Sequence, residues 1–138
     1  MYLVSITRLR LRSPSYLPGF LYFTILSFWQ SWRSRGNMCT KVKRDGNTRL
    51  CFWTVTVWES EAGMRAFRNA GAHRKAMQRL AFWCDEATYL NWIQPAKEPP
   101  TWDEVYDRLI ADGAVSPVRF PSPNHASRNF PKLKNSGI

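Results

Sequence analysis

Apolar and polar positions alternate along the first dozen residues: Tyr2, Val4 and Ile6 fall on one side, Leu3, Leu9 and Leu11 on the other. A period of two predicts a β-strand over Met1 to Arg12. On its even side the pattern turns from apolar to basic at Arg8, Arg10 and Arg12, so that end is expected to meet water or an anion. The same period governs Leu50 to Glu59. There Leu50, Phe52, Thr54, Thr56 and Trp58 share one face, and Cys51, Trp53, Val55, Val57 and Glu59 the other. Both faces carry large apolar groups, so each needs a cover. Met38 to Arg44 reads as a short basic strand, and Asp45-Gly46-Asn47 is a hairpin signal joining it to the aromatic strand. Antiparallel pairing would set Lys41 and Lys43 beside one face of that strand. Cys84 to Ile93 reads as a fourth strand.

Helical spacing fills the intervals. Pro18-Gly19 leads into FLYFTILSFWQSWRSR, a helix with Phe20, Phe23, Leu26 (or Ser27) and Gln30 along one side. It is apolar nearly all round until Trp32, so burial on two sides is expected. Its mostly apolar run from Phe20 to Trp29 is too short to span a bilayer, which takes about twenty residues. It continues Gln30-Ser31-Trp32-Arg33 rather than ending in the small residues of a secretory signal. Ser60 is a good N-cap for a helix with Met64, Phe67 and Gly71 on its apolar stripe. After the glycine break a second run from Ala72 places His73, Met77 and Leu80 on one face. The order β-α-β-β-α-β over residues 1–93 predicts a ferredoxin-like α+β domain, one antiparallel sheet with helices on one face. Residues 94–138 read as an extension. A Pro95, Pro99 and Pro100 linker precedes the capping box Thr101-Trp102-Asp103-Glu104 and a short helix over 102–112. The proline-rich arm 114–138 is expected to be loosely ordered or laid on a neighbouring subunit.

Charge changes this picture only at one end. Twenty Lys and Arg stand against ten Asp and Glu, but residues 1–50 hold nine basic groups and a single acid, Asp45. Attraction to anions therefore belongs to the first third. Cys39, Cys51 and Cys84 are odd in number and scattered, which argues for reduced thiols in a cytoplasmic protein. No Ser-His-Asp set, phosphate loop, metal-ligand spacing or dinucleotide fingerprint is present. His125 lies in the arm and is expected to be solvated.

The run Trp58-Glu59-Ser60-Glu61, then Met64-Arg65-Ala66-Phe67, then Gly71-Ala72-His73 through Met77, resembles the antibiotic-biosynthesis-monooxygenase-like proteins of the dimeric α/β barrel superfamily. The PAKEPPTWDEVYDRL extension is similar to that of a branch of them with no assigned activity. The resemblance spans residues 1–93 by element order and 50–93 by motif. It implies a homodimer whose two sheets pack face to face, helices burying one face of each sheet and the partner subunit the other. It also implies a cavity for a small hydrophobic or aromatic molecule between sheet and helices, lined by the aromatic strand, helix 20–32 and the His73–Leu80 face. On that reading His73 and Trp58 are the candidate catalytic residues of a monooxygenase. Phe23, Thr54, Thr56 and Met77 would contact the ligand, with Arg8 or Arg10 near an acidic substituent.

Three chemistries of the superfamily bear on these residues. The heme-degrading branch uses a histidine ligand on its second helix, an asparagine on its first strand and a tryptophan on its third. Here the ligand position falls on Met77, His73 lies one turn earlier, and the first strand offers Ser5 and Thr7 but no Asn. Trp53 or Trp58 matches the tryptophan. The expected ligand position thus does not support heme, and a cofactor-independent monooxygenase is expected, with a heme-dependent one as the alternative. The cofactor-free quinone-forming branch places polar groups and tryptophan near a bound phenol, parts open to Thr54, Thr56, Trp58 and His73. MRAF followed by Gly-x-His is similar to the carotenoid-oxidising spheroidene monooxygenases, with His73 the matching histidine. Against these stands a non-catalytic binding or interaction module whose cavity is filled by its own aromatic side chains. A cavity of about 300 Å³ or more at His73 separates the two readings. Nucleic-acid binding through residues 1–50 is the weakest expectation.

Overall fold

The alternating N-terminal run becomes the central strand of the sheet in the computed structural model of the chain, which describes residues 1–133. This strand, β1 (Tyr2–Leu11), pairs antiparallel with β3 (Cys51–Trp58) on one side and β4 (Cys84–Gln94) on the other. Beyond β3 lies β2 (Asn37–Arg44), and beyond β4 a two-residue β5 (Ala114–Val115), giving the order β2-β3-β1-β4-β5. With α1 (Leu17–Arg33) after β1, and the broken pair α2 (Glu61–Arg68) and α3 (Gly71–Trp83) after β3, this is the ferredoxin-like α+β fold. The hairpin is tied by its own turn residue. The Asp45 carboxylate accepts from the Asn47 backbone N–H at 2.8 Å and from the Trp53 indole at 3.0 Å. Lys43 and Lys41 stand opposite Trp53 and Val55, as the hairpin signal requires.

Local chemistry sets the helix ends. The Ser60 hydroxyl accepts from Gly63 N–H at 3.2 Å and starts α2. Thr101 does the same for Glu104 N–H at 3.2 Å and starts α4 (Trp102–Asp112). Only half of the expected capping box forms, because the Glu104 carboxylate takes Arg108 at 3.0 Å instead. Gly113 ends α4, and a Cβ there would strike the Leu109 carbonyl oxygen and come within 2.8 Å of the Thr88 methyl. Glycine is thus what lets α4 lie so close to β4.

The two faces of the sheet are covered differently. Helices α1 to α3 lie on one: Phe20 packs on Phe52 at 4.8 Å between ring centroids, and Met64 and Phe67 pack with Trp58 and Leu3. On the other, Val105 and Leu109 of α4 and Leu133 of the arm form one buried cluster with Val4, Ile6, Cys51, Trp53, Val55 and Val57. This corrects the expectation that a partner subunit must bury the second face. Trp53 and Val57 are 0% exposed within a single chain. The arm also returns to its own sheet rather than to a neighbour. Tyr106 donates to the Phe130 carbonyl at 2.7 Å, Asn47 to that of Lys132 at 2.9 Å and Arg128 to that of Gly113 at 2.8 Å. The arm's residues 134–138 lie outside those described. His125 is buried, not solvated. Its Nδ1 accepts from Ala87 N–H at 3.4 Å, which leaves Nε2 to donate to the Ser116 carbonyl at 2.9 Å. Helix α1 is buried on one side only, with Tyr22, Ile25, Trp29 and Trp32 outward. All three thiols are unpaired, and burial pushes those of Cys51 and Cys84 up to about 12, so both stay protonated at neutral pH.

Because Leu109 of α4 is fully buried in this core, Leu109→Ala should cost about 2–5 kcal/mol in urea unfolding. A loss below about 1 kcal/mol would mean that α4 is not what covers the face.

Candidate functional site

The helix-facing side of the sheet is polar at its centre. Strand register sets Thr40, Thr56, Ser5 and Asn91 in one row across β2, β3, β1 and β4, and Thr54, Thr7 and Tyr89 in the next. Phe52 closes the rows at one end and Trp58 at the other, both packed on helices. Ser5, Thr7, Thr54 and Thr56 are only half-buried although they lie on the central strands, so the helices do not seal down on them. Around these rows, the Ser31 and Thr40 hydroxyls share a hydrogen bond of 2.9 Å, and the buried Ser27 Oγ has no partner. Hydroxyls at the centre of a helix-covered face forgo apolar burial.

The tryptophan end is built by a relay of rings. Trp58, 0% exposed, stacks obliquely on Phe67 at 5.2 Å, and Phe67 on His73 at 4.4 Å. The Trp58 Nε1–H is buried and makes no hydrogen bond. His73 is held by two contacts. Its Nδ1 lies 3.4 Å from the Arg68 carbonyl, which can only accept, so that nitrogen carries the proton and Nε2 keeps its lone pair. Burial pushes the imidazole below its ordinary value, which makes the ring neutral near pH 7. The second contact comes from α1. Gln30 accepts from His73 N–H at 3.1 Å, and donates to the Phe67 and Ala70 carbonyls at 3.1 and 2.7 Å. One side chain thereby spans the α2–α3 break, satisfying orphan groups at both helix ends. Gly71 fits beneath it with a positive φ of 59°, where a Cβ would come within 2.8 Å of Gln30 Oε1.

The other predicted site residues divide between two faces. Thr54 and Thr56 lie on the hydroxyl rows. Phe23 points toward α3, 5.9 Å from Trp83, with the Arg79 guanidinium over its ring at 5.0 Å. Met77 is 45% exposed on α3. Arg8 and Arg10 are on the opposite face, under the arm, and cannot join Trp58 and His73 around one ligand. Arg8, fully buried, donates to Glu86 at 2.6 Å and lies 3.8 Å from the Phe130 ring centroid. Arg10 reaches the same carboxylate at 3.3 Å. Alternation along β1 decides this, since the even positions that carry the arginines also carry Val4 and Ile6 into the α4 core. A cavity of about 450 Å³ lies away from His73, lined by Gln78, Arg79, Ala81, Phe82, Trp83 and Arg119. Gln30, Ser5, Thr7 and Thr40 were not singled out as site residues from the sequence. The two rows follow once the strand register is fixed, whereas the Gln30 contacts need the packing of α1 on α3.

Burial alone would raise the Glu86 carboxyl, but hydrogen bonds from Ser122 and Arg8 and the nearby arginine charges outweigh it and hold the group below its ordinary value. A depressed carboxylate contributes stability above its unfolded value and loses it as pH falls through the folded one. Glu86→Gln should therefore cost about 3 kcal/mol or more at pH 7 by leaving Arg8 buried and unpaired. The gap between variant and parent should narrow as pH falls below 4.5, the ordinary value. A gap independent of pH in urea unfolding would contradict this.

Residues 22–120 match the family model described as a domain of unknown function, DUF3291. No curated protein matches the chain by sequence. Among solved structures the chain is similar to a protein named for antibiotic biosynthesis monooxygenase activity from Nitrosomonas europaea. That likeness has a TM-score of 0.61 at 16% identity, over 68% of this chain and 90% of that one. It is similar also to Rv0793 from Mycobacterium tuberculosis, with a TM-score of 0.62 at 9% identity over 71% and 98% of the two chains. A third likeness is to SnoaB, a cofactor-independent oxygenase from Streptomyces nogalater, with a TM-score of 0.56 at 11% identity over 72% and 98%. At these identities the likeness shows the fold, that of the antibiotic-biosynthesis-monooxygenase-like proteins.

Proposed function

We propose, from the premise that the chain belongs to the DUF3291 family, that it binds a small hydrophobic or aromatic molecule between its helices and the hydroxyl rows of its sheet. The observation that carries this reading is the Trp58 indole N–H, which is fully buried, unpartnered and on the same face of β3 as Thr54 and Thr56. An unmet buried donor costs about 1–3 kcal/mol, and a ligand oxygen would recover it. The aromatic rings at either end of the rows suit the apolar body of such a ligand, and the hydroxyls its polar group. One chain supplies every group the site uses.

A bound phenol gives His73 a chemical part. Its Nε2 lone pair would take the hydroxyl proton, leaving a phenolate for dioxygen to oxidise, so that a naphthol and dioxygen yield a naphthoquinone and water. SnoaB, the cofactor-independent oxygenase among the structural neighbours, lends support by its description alone. The reading takes no heme. Met77, at the position of the heme ligand in the heme-degrading branch, is 45% exposed, and the His73 ring packs on Phe67. The rival, a binding module with a self-filled core, draws on the 450 Å³ cavity lying away from His73.

Titrating nitrogen-15-labelled protein with alpha-naphthol should shift the Trp58 Nε1–H resonance saturably, with the peak assigned through Trp58→Phe. Oxygen uptake should accompany it and vanish in His73→Ala at a nearly unchanged melting temperature. A Trp58 resonance that ignores the naphthol in folded protein would favour the self-filled core. A shifted Soret band with added hemin would bring heme back.

A further inference from the structure

The outer side of α1 carries a surface that the proposed site does not use. Tyr22, Ile25, Trp29 and Trp32 are 61, 59, 55 and 71% exposed, and Leu21, Leu26 and Phe28 are each more than a third exposed. At 100° per residue these seven fall on one continuous arc just under half the helix circumference, shared only with Pro18 and Arg33. A contiguous apolar arc of this kind marks an interaction surface rather than scattered exposure.

Charge identifies the occupant. Neither α1 nor α3, which lie side by side, contains an Asp or Glu. The single acid of α2, Glu61, is already paired with Arg65. The exposed cations around the arc are Arg33, Arg35, Arg74, Lys75 and Arg79. A second copy of this chain would bring cation against cation. A nucleic acid would use the charge but gives Leu21, Ile25 and Leu26 nothing to enter. An anionic lipid surface answers both features, since Trp and Tyr settle at the headgroup level and aliphatic side chains in the acyl boundary.

The cavity of about 450 Å³ lies against α3, the helix beside α1. Its lining brings together Arg79, Arg119, Phe82 and Trp83. Neither arginine pairs with a carboxylate among the described residues. Arg79 also lies over the Phe23 ring, next in sequence to Tyr22 of the arc. We infer that the outer face of α1 docks on an anionic bilayer, with Arg79 and Arg119 receiving a lipid phosphate. No helix among the described residues is long and apolar enough to cross a membrane. The chain lies on the surface with α1 in the interfacial plane.

The test is co-sedimentation of the full chain with vesicles of phosphatidylcholine containing about one third phosphatidylglycerol, and with pure phosphatidylcholine, at physiological ionic strength. Binding to the anionic vesicles should be roughly tenfold or more the stronger, and Arg79→Glu with Arg119→Glu should remove that preference. Brominated lipid should quench tryptophan emission, and the quenching should be lost in the Trp29→Phe, Trp32→Phe double variant, whose fold is checked by its melting curve. No partition onto anionic vesicles would overturn the inference, as would binding unaffected by changing Trp29 and Trp32 to Gln. So would a dimer in sedimentation velocity that the same two changes dissociate, because a second copy would then own the face. Displacement by single-stranded DNA with the tryptophan variants unaffected would assign it to nucleic acid instead.

Discussion

The packing of α4 across the sheet is the constraint on which the rest depends. Four consecutive inward positions of β3, Cys51, Trp53, Val55 and Val57, form an apolar ribbon that cannot stay wet. Val105 and Leu109 close it, Gly113 lets the helix approach, and the arm lays Phe130 and Leu133 beside them. The extension is thus part of the core and not an appendage. The ferredoxin-like sheet is covered on both sides by a single chain, and apolar burial on the α4 side is available to stabilise a fold whose other side is polar at its centre.

Two consequences follow from strand alternation. On the α4 side the arginines of β1 follow Val4 and Ile6 into the interior, where Arg8 is fully buried and must be neutralised by Glu86. Arg8 Nε and Nη2 find no acceptor, while Phe130 stacks on the guanidinium and Ser122 of the arm donates to the same glutamate at 2.6 Å. The buried pair therefore anchors the arm as well as completing its own charges. On the helix side the same alternation gathers Ser5, Thr7, Thr54 and Thr56. Gln30 keeps α2 and α3 in register there and fixes the backbone of His73.

Most of the fold was legible in the sequence because it is written in local periods. The alternation of 2–11 and 51–58, the Asp45-Gly46-Asn47 turn, the Ser60 and Thr101 caps and the Gly71 break each act within a few residues, and each appears where read. What the sequence concealed is non-local. Both faces of β3 are apolar enough that nothing in the strand says whether α4 or a second sheet covers the Trp53 side. The short helix over 102–112 was visible, but not its destination. His125 read as solvated because its prolines break any period, yet its two hydrogen bonds join segments far apart in the chain. Of the candidate site, Trp58, His73, Thr54 and Thr56 share the helix side of the sheet, whereas Arg8 and Arg10 belong to the opposite one. Basic residues at a strand end read as surface; tertiary burial overrides that reading when carboxylates are supplied from β4.

Isotope-filtered NMR on an equimolar mixture of labelled and unlabelled chains tests the intramolecular cover directly. Methyl contacts from Val105 and Leu109 to Val55 and Val57 should appear within one chain and be absent between chains. Intermolecular contacts at those methyls, or none of either kind, would show that the ribbon is closed by something other than its own α4.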